Sequence, residues 1–239
     1  MNTTLIKPYH LEIVSPEESK KRLARINAAM GDGLLSDRER GILSRFSAEK
    51  RKIDWLGGRL AAKKILQPLL ANEGRPLPLE RIEILNREDG VPYVSLPDEP
   101  EYLRHPLSIS HTSAAAVAAV AQPGHLVGVD AEMIERREKN FLDLVSHESE
   151  RDEEFISDAA EQTRVWTLKE AVSKVLGTGL SVGFYDIRFP SNSIARRLEL
   201  HGPALDRWRQ LGKPVIRFDT FDKQDHILSI AYTTGDAHV

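Results

Sequence analysis

Cysteine is absent from the 239 residues, which excludes disulfides, thiolate chemistry and cysteine-ligated zinc and leaves a reducing compartment fully compatible. Neither sign of charge dominates: 33 lysines and arginines stand against 36 aspartates and glutamates, so no global positive field recommends a nucleic-acid partner. Long apolar runs are lacking too. Nothing approaches the roughly 20 residues a membrane-spanning helix needs, and Met1 to His10 has no apolar run flanked by positive charge. The expectation is a cytoplasmic protein with no membrane partner. A hydrophobic content of 41% gives a chain of this length enough apolar surface for one large domain or two small ones.

Charge is present but unevenly placed. Between Arg45 and Lys64 seven bases face two acids, and between Asp130 and Glu161 twelve acids face four bases. Either stretch is a solvated surface, or one is an anion-binding wall and the other a cation-binding one. Ser36-Asp37-Arg38-Glu39 has a helix-capping pattern, and apolar residues from Ile42 to Leu69 recur at helical spacing, as two helices or one bent one. A strand is expected at Arg81 to Leu85, a turn at Asp89 to Pro92 and a strand at Leu107 to Ser110. Ala114 to Ala121 is ambiguous, its alanines favouring helix and its valines strand. Further strands are expected at Val127 to Asp130, Tyr185 to Phe189, Val215 to Phe218 and Ile227 to Tyr232, with a helix over Thr163 to Leu176 stopped by Gly177.

This order contains a faint internal repeat. A helix carrying Trp55, Arg59 and Lys63 precedes two strands, and a helix carrying Trp166, Glu170 and Lys174 does the same. Residues four apart share a helix face, so each helix presents two charged groups in one direction. The pattern reads as an α+β chain of two similar halves.

Asp130-Ala131-Glu132 follows an apolar run, and strand alternation puts its two carboxylates on one side, where they can share a hard cation. Taken alone, the same pattern is an ordinary solvated strand edge. Glu170 and Lys174, four apart on a helix, alone read as a modest surface pair. Ser110 and His111 are adjacent on a strand and point to opposite faces, which argues against a nucleophile and its base and leaves His111 as a phosphate donor or a structural group.

Read in order, these weak signals become specific. Gly57-Gly58-Arg59, Gly90-x-Pro92, Ser108-Ile109-Ser110-His111, Gly128-Val129-Asp130-Ala131-Glu132 and Trp166-x-x-Lys169-Glu170-Ala171-x-x-Lys174-x-x-Gly177-x-Gly179-Leu180 together resemble the 4'-phosphopantetheinyl transferase superfamily. In length the chain resembles its monomeric, surfactin-synthetase-activating type.

The resemblance implies two α/β halves related by a pseudo-two-fold, an N-terminal half (1–123) for the phosphates and adenine of coenzyme A and a C-terminal half (124–239) for metal and catalysis. It implies transfer of 4'-phosphopantetheine from coenzyme A to a serine of an apo acyl or peptidyl carrier protein. Asp130, Glu132 and Glu170 are then the ligands of Mg2+, or of Mn2+, with the coenzyme's pyrophosphate beside Asp130 and Lys174. Lys174 assists the leaving group and Glu170 is the candidate general base. Ser110, His111, Arg59 and Lys50 match phosphate-facing positions, Lys63 is added from helix geometry, and Gly90 and Pro92 match a loop bordering the adenine. Val91 departs from the Gly-Lys-Pro of many relatives. Two other readings compete: a coenzyme A or carrier-protein binding module that transfers nothing, and a metal-dependent hydrolase of nucleotide pyrophosphates.

Overall fold

The computed structural model describes residues 7–28, 33–179, 183–190, 197–223 and 225–234; Leu180, the last residue of the glycine-containing motif, lies outside them. The chain divides into two compact units, Met1–His125 and Leu126–Val239. In the first, the elements are β1 (Tyr9–Val14), α1 (Pro16–Asn27), α2 (Asp37–Ser44), α3 (Glu49–Asn72), β2 (Glu83–Asn86), β3 (Pro92–Leu96), β4 (Glu99–Tyr102), β5 (Leu107–His111) and β6 (Ala116–Ala121). They form two antiparallel sheets, ordered β1-β6-β5 and β2-β3-β4.

Ser36 caps α2 as its sequence suggests: its hydroxyl accepts from Glu39 N at 3.1 Å, and Glu39 Oε2 accepts from Ser36 N at 3.0 Å. The apolar stretch beyond it resolves into two helices, and α3 continues through Pro68 to Asn72. The ambiguous alanines become the fully buried central strand β6. Tertiary contact decides this. A Cβ on Gly57 would stand 2.8 Å from Ala116 Cβ, and one on Gly58 would stand 2.7 Å from Ile109 Cγ2, so α3 lies close enough to the sheet to demand glycine at both positions.

The second unit comprises β7 (Val127–Met133), α4 (Lys139–Val145), α5 (Glu153–Ser157), α6 (Ala159–Leu176), β8 (Ile187–Arg188), β9 (Glu199–Leu200), α7 (Gly202–Gln210), β10 (Val215–Lys223) and β11 (His226–Thr234). Its main sheet is antiparallel and ordered β7-β11-β10. Asp158 caps α6, and Gly177 ends it in the left-handed region at φ 65°. The strand expected from Tyr185 shrinks to Ile187–Arg188, because Phe184–Asp186 forms a 3-10 turn whose carbonyls accept from Lys169 Nζ at 3.1 Å and His201 N at 2.8 Å.

Both units are thus α+β, a long helix packed on a three-stranded sheet whose last strand lies in the middle. The repeat is real in plan, but its register needs correcting. Lys63 corresponds to Lys169, not to Lys174. Lys63 Nζ donates to Glu39 Oε2 at 2.5 Å, Leu34 O at 2.6 Å and Leu79 O at 3.1 Å. Lys169 Nζ donates to Glu150 Oε2 at 2.6 Å, Val145 O at 2.6 Å and Phe184 O at 3.1 Å. Each glutamate closes a capping box, and its second oxygen accepts a strand-side N–H, Ile84 at 2.9 Å or Phe189 at 2.7 Å.

Lys63 is therefore not a coenzyme ligand. It is fully buried, and three acceptors take the three donors of its ammonium. The four-residue spacing that linked it to Arg59 gave no information on which face of α3 is covered.

Candidate active site

In the second unit the site starts from a glycine. A Cβ at Gly128 would fall 2.0 Å from Ala171 O and 2.9 Å from Val175 N, so β7 and α6 touch backbone to backbone there. That approach carries Asp130 and Glu132 on β7 up to Glu170 and Lys174 on α6. Lys174 Nζ donates to Asp130 Oδ1 and to Val129 O, both at 2.8 Å, and Asp130 is buried. Glu132 Oε1 accepts from the indole N–H of Trp166 at 3.2 Å, and its other oxygen stands 3.5 Å from the Arg137 guanidinium. Trp166 in turn packs against Phe141 and Phe184, with ring centroids 5.0 and 4.6 Å away.

Glu170 shows what this neighbourhood does to charge. Burial, then the negative charges of Asp130 and Glu132, push its carboxyl up to about 7, with Lys174 pulling the other way. Among the described residues no three His, Cys, Asp or Glu side chains are grouped closely enough to hold a metal ion as they stand. The donor chemistry nevertheless fits a hard divalent cation: three carboxylates, two on one strand face and one on the packed helix, stand near one another with Lys174 and Arg137 as the cations beside them.

The first unit brings another predicted group together. Lys50, Arg59 and His111 line one cavity of about 670 Å3 with Arg51, Trp55 and Asn86. Arg59 is 6% exposed, stacks 4.3 Å over the Trp55 ring, and donates to Ile84 O at 3.3 Å and to Asn86 Oδ1. Burial draws its guanidinium down to about 10, against the pull of Glu39, so it stays cationic at neutral pH. Asn86 Nδ2 donates to Gly90 O at 2.5 Å, and Asn86 lies opposite Pro92 in the β2–β3 ladder. The Gly90–Pro92 turn, with Gly90 at φ 88°, is thereby tied to Arg59.

Lys50 is largely exposed and paired with Asp54 at 2.7 Å. His111 is exposed at the end of β5, while Ser110 is buried on the opposite face. Sequence reasoning missed Asn86 and Arg137 altogether and gave Trp166 no contact; only the tryptophan carried a signal, as part of a motif. A further cavity of about 790 Å3, around Leu200, Trp208, Val215 and Phe218, contains none of these groups.

Residues 126–231 match the family model of the 4'-phosphopantetheinyl transferase superfamily, a span that includes Asp130, Glu132, Glu170 and Lys174 and none of the first unit. A holo-[acyl-carrier-protein] synthase of Anoxybacillus flavithermus is 39% identical over 88 residues, 36% of this chain and 71% of that protein. The Listeria welshimeri protein of the same name is 31% identical over 117 residues, 48% of this chain and 97% of its own. Among solved structures, a holo-(acyl-carrier-protein) synthase from Bacillus anthracis in complex with CoA (3',5'-ADP) is similar at 23% identity with a TM-score of 0.38, covering 48% of this chain and 95% of that one. The chain belongs to the 4'-phosphopantetheinyl transferase superfamily.

Proposed function

We propose that this protein transfers the 4'-phosphopantetheine of coenzyme A to a serine hydroxyl of an apo acyl or peptidyl carrier protein and releases adenosine 3',5'-bisphosphate. The observation that carries the reading is the Asp130, Glu132, Glu170 and Lys174 cluster, built by the β7–α6 approach within the matched span. In the reaction a bond forms from the serine oxygen to the phosphorus that bears pantetheine, and the bond from that phosphorus to the bridging oxygen of the pyrophosphate breaks. A magnesium or manganese ion, when bound, neutralises the pyrophosphate and the departing phosphate.

Asp130, Glu132 and Glu170 would hold that ion. Lys174, anchored by Val129 O and Asp130, supplies a fixed positive charge for the leaving oxygen. Glu170 would also take the serine proton, directly or through a water; its carboxyl is raised to about 7 by burial and by Asp130 and Glu132 in the metal-free site, and a bound cation draws it down again and weakens it as a base. Arg59, Lys50 and His111 would hold the 3'-phosphate, with the Gly90–Pro92 turn beside the adenine. We further assign the chain to the monomeric, surfactin-synthetase-activating type and to the cytoplasm.

Incubation of apo carrier proteins with the enzyme, coenzyme A and magnesium tests this by mass spectrometry. The expected result is a carrier heavier by one phosphopantetheine group. Release of adenosine 3',5'-bisphosphate without any carrier would mark a hydrolase, and retention of intact coenzyme A with unmodified carriers a binding module.

A further inference from the structure

Two fully buried lysine–glutamate pairs, both with side chains at 0% exposure, occupy equivalent places in the two units. Their connections match one for one: a carbonyl five residues before the glutamate, a carbonyl opening a 3-10 turn, and the N–H five residues beyond that carbonyl. Burying such pairs carries a desolvation cost that apolar side chains of similar volume would avoid. Use of the same arrangement twice therefore points to a task other than stability, and what each pair adjoins identifies that task.

In the first unit Glu39 grips the N–H of Ile84, and Arg59 donates to the carbonyl of the same residue. Whatever displaces Glu39 displaces the acceptor that aims the guanidinium. In the second unit Lys169 immediately precedes Glu170 on α6. Neighbours on a helix differ by about 100° in direction, so a lysine locked inward to Glu150 fixes the rotation of α6 and with it the heading of Glu170.

We propose that Glu39 and Glu150 are positioning residues with separate duties: the Lys63–Glu39 latch aligns Arg59 for a phosphorylated nucleotide, and the Lys169–Glu150 latch aligns Glu170 for a divalent cation. This rests on the function proposed above. A merely structural role would lower the urea midpoint of each variant and leave the affinity of the folded protein for either ligand unchanged.

The test compares Glu39→Gln with Glu150→Gln, each confirmed folded by circular dichroism, with Glu→Asp at the same positions if a glutamine variant does not fold. Mn2+ binding is read by electron paramagnetic resonance without nucleotide, and adenosine 3',5'-bisphosphate binding by calorimetry without metal. Misplacing a site group by 1 Å can cost up to about 100-fold, so a loss of about 10-fold or more is expected for the ligand each latch serves. Glu39→Gln should weaken the nucleotide and leave Mn2+ within a factor of about two, and Glu150→Gln should do the reverse. Losses shared equally by both ligands, or no loss in either folded variant, overturn the latch assignment alone. A wild-type protein that binds neither ligand overturns the proposed function and this inference together.

Discussion

Gly128→Ala isolates the β7–α6 contact in one methyl group. The added carbon would lie 2.0 Å from Ala171 O, where ordinary contact begins near 3.4 Å, so strand or helix must yield by about 1.4 Å. The obstacle is backbone and cannot rotate away. Forced overpacking of this kind costs typically about 1–3 kcal/mol, a loss that a urea denaturation midpoint resolves. The functional cost is larger: the 2.8 Å bond from Lys174 to Asp130 stretches beyond the roughly 3.2 Å reach of a good hydrogen bond, and displacements near 1 Å can cost about 100-fold. The expected variant is folded, destabilised and slower in carrier modification by about two orders of magnitude, with weakened Mn2+ binding. Wild-type stability together with wild-type turnover would refute the claim that this close approach builds the site.

Arg59→Ala should weaken coenzyme A binding roughly 10- to 150-fold, the factor for a charge-assisted bond of about 1.5–3 kcal/mol, while dephospho-coenzyme A changes little; equal losses for both ligands by calorimetry would place Arg59 elsewhere. His111→Ala should show the same asymmetry. Glu170 is raised from 4.5 to about 7, so between those values the folded state binds more protons than the unfolded one. Metal-free protein should therefore lose stability from about pH 4.5 to about pH 7, and Glu170→Gln should flatten that part of the curve of urea midpoint against pH. Because the Trp166 indole touches Glu132, Mn2+ should alter tryptophan fluorescence, EDTA should reverse the change and stop transfer, and Trp166→Phe should abolish the optical signal.

The sequence displayed the groups for chemistry more clearly than the geometry that supports them. Asp130, Glu132, Glu170 and Lys174 carry motif spacing, because a strand and a helix impose fixed periods on residues facing one way. Lys63 was misread because a four-residue spacing shows which residues share a face, whereas burial depends on Leu34, Glu39 and Leu79 arriving from elsewhere in the chain. Glu150 was invisible for a related reason. Its capping box uses His147, an unusual cap, and its lysine lies in a different helix. The alanine strand β6 could not be told from helix by propensity, since the close approach of α3 at Gly57 decides the matter. Asn86 looks like any polar residue before a turn, and only the fold shows it joining Arg59 to Gly90.

The latch also supplies a common address for the two units. The residue after the latch lysine is Lys64 in one and Glu170 in the other. Lys64 donates to Glu12 on β1 at 3.1 Å and pairs with Glu18 at 2.9 Å, so a lysine tethered to the chain already supplies positive charge to carboxylates there. At the corresponding address Glu170 adds another negative charge beside Asp130 and Glu132, with Lys174 drawing the other way. The two units thus carry opposite charge at one address, while the same buried lysine–glutamate pair stands beside it in both.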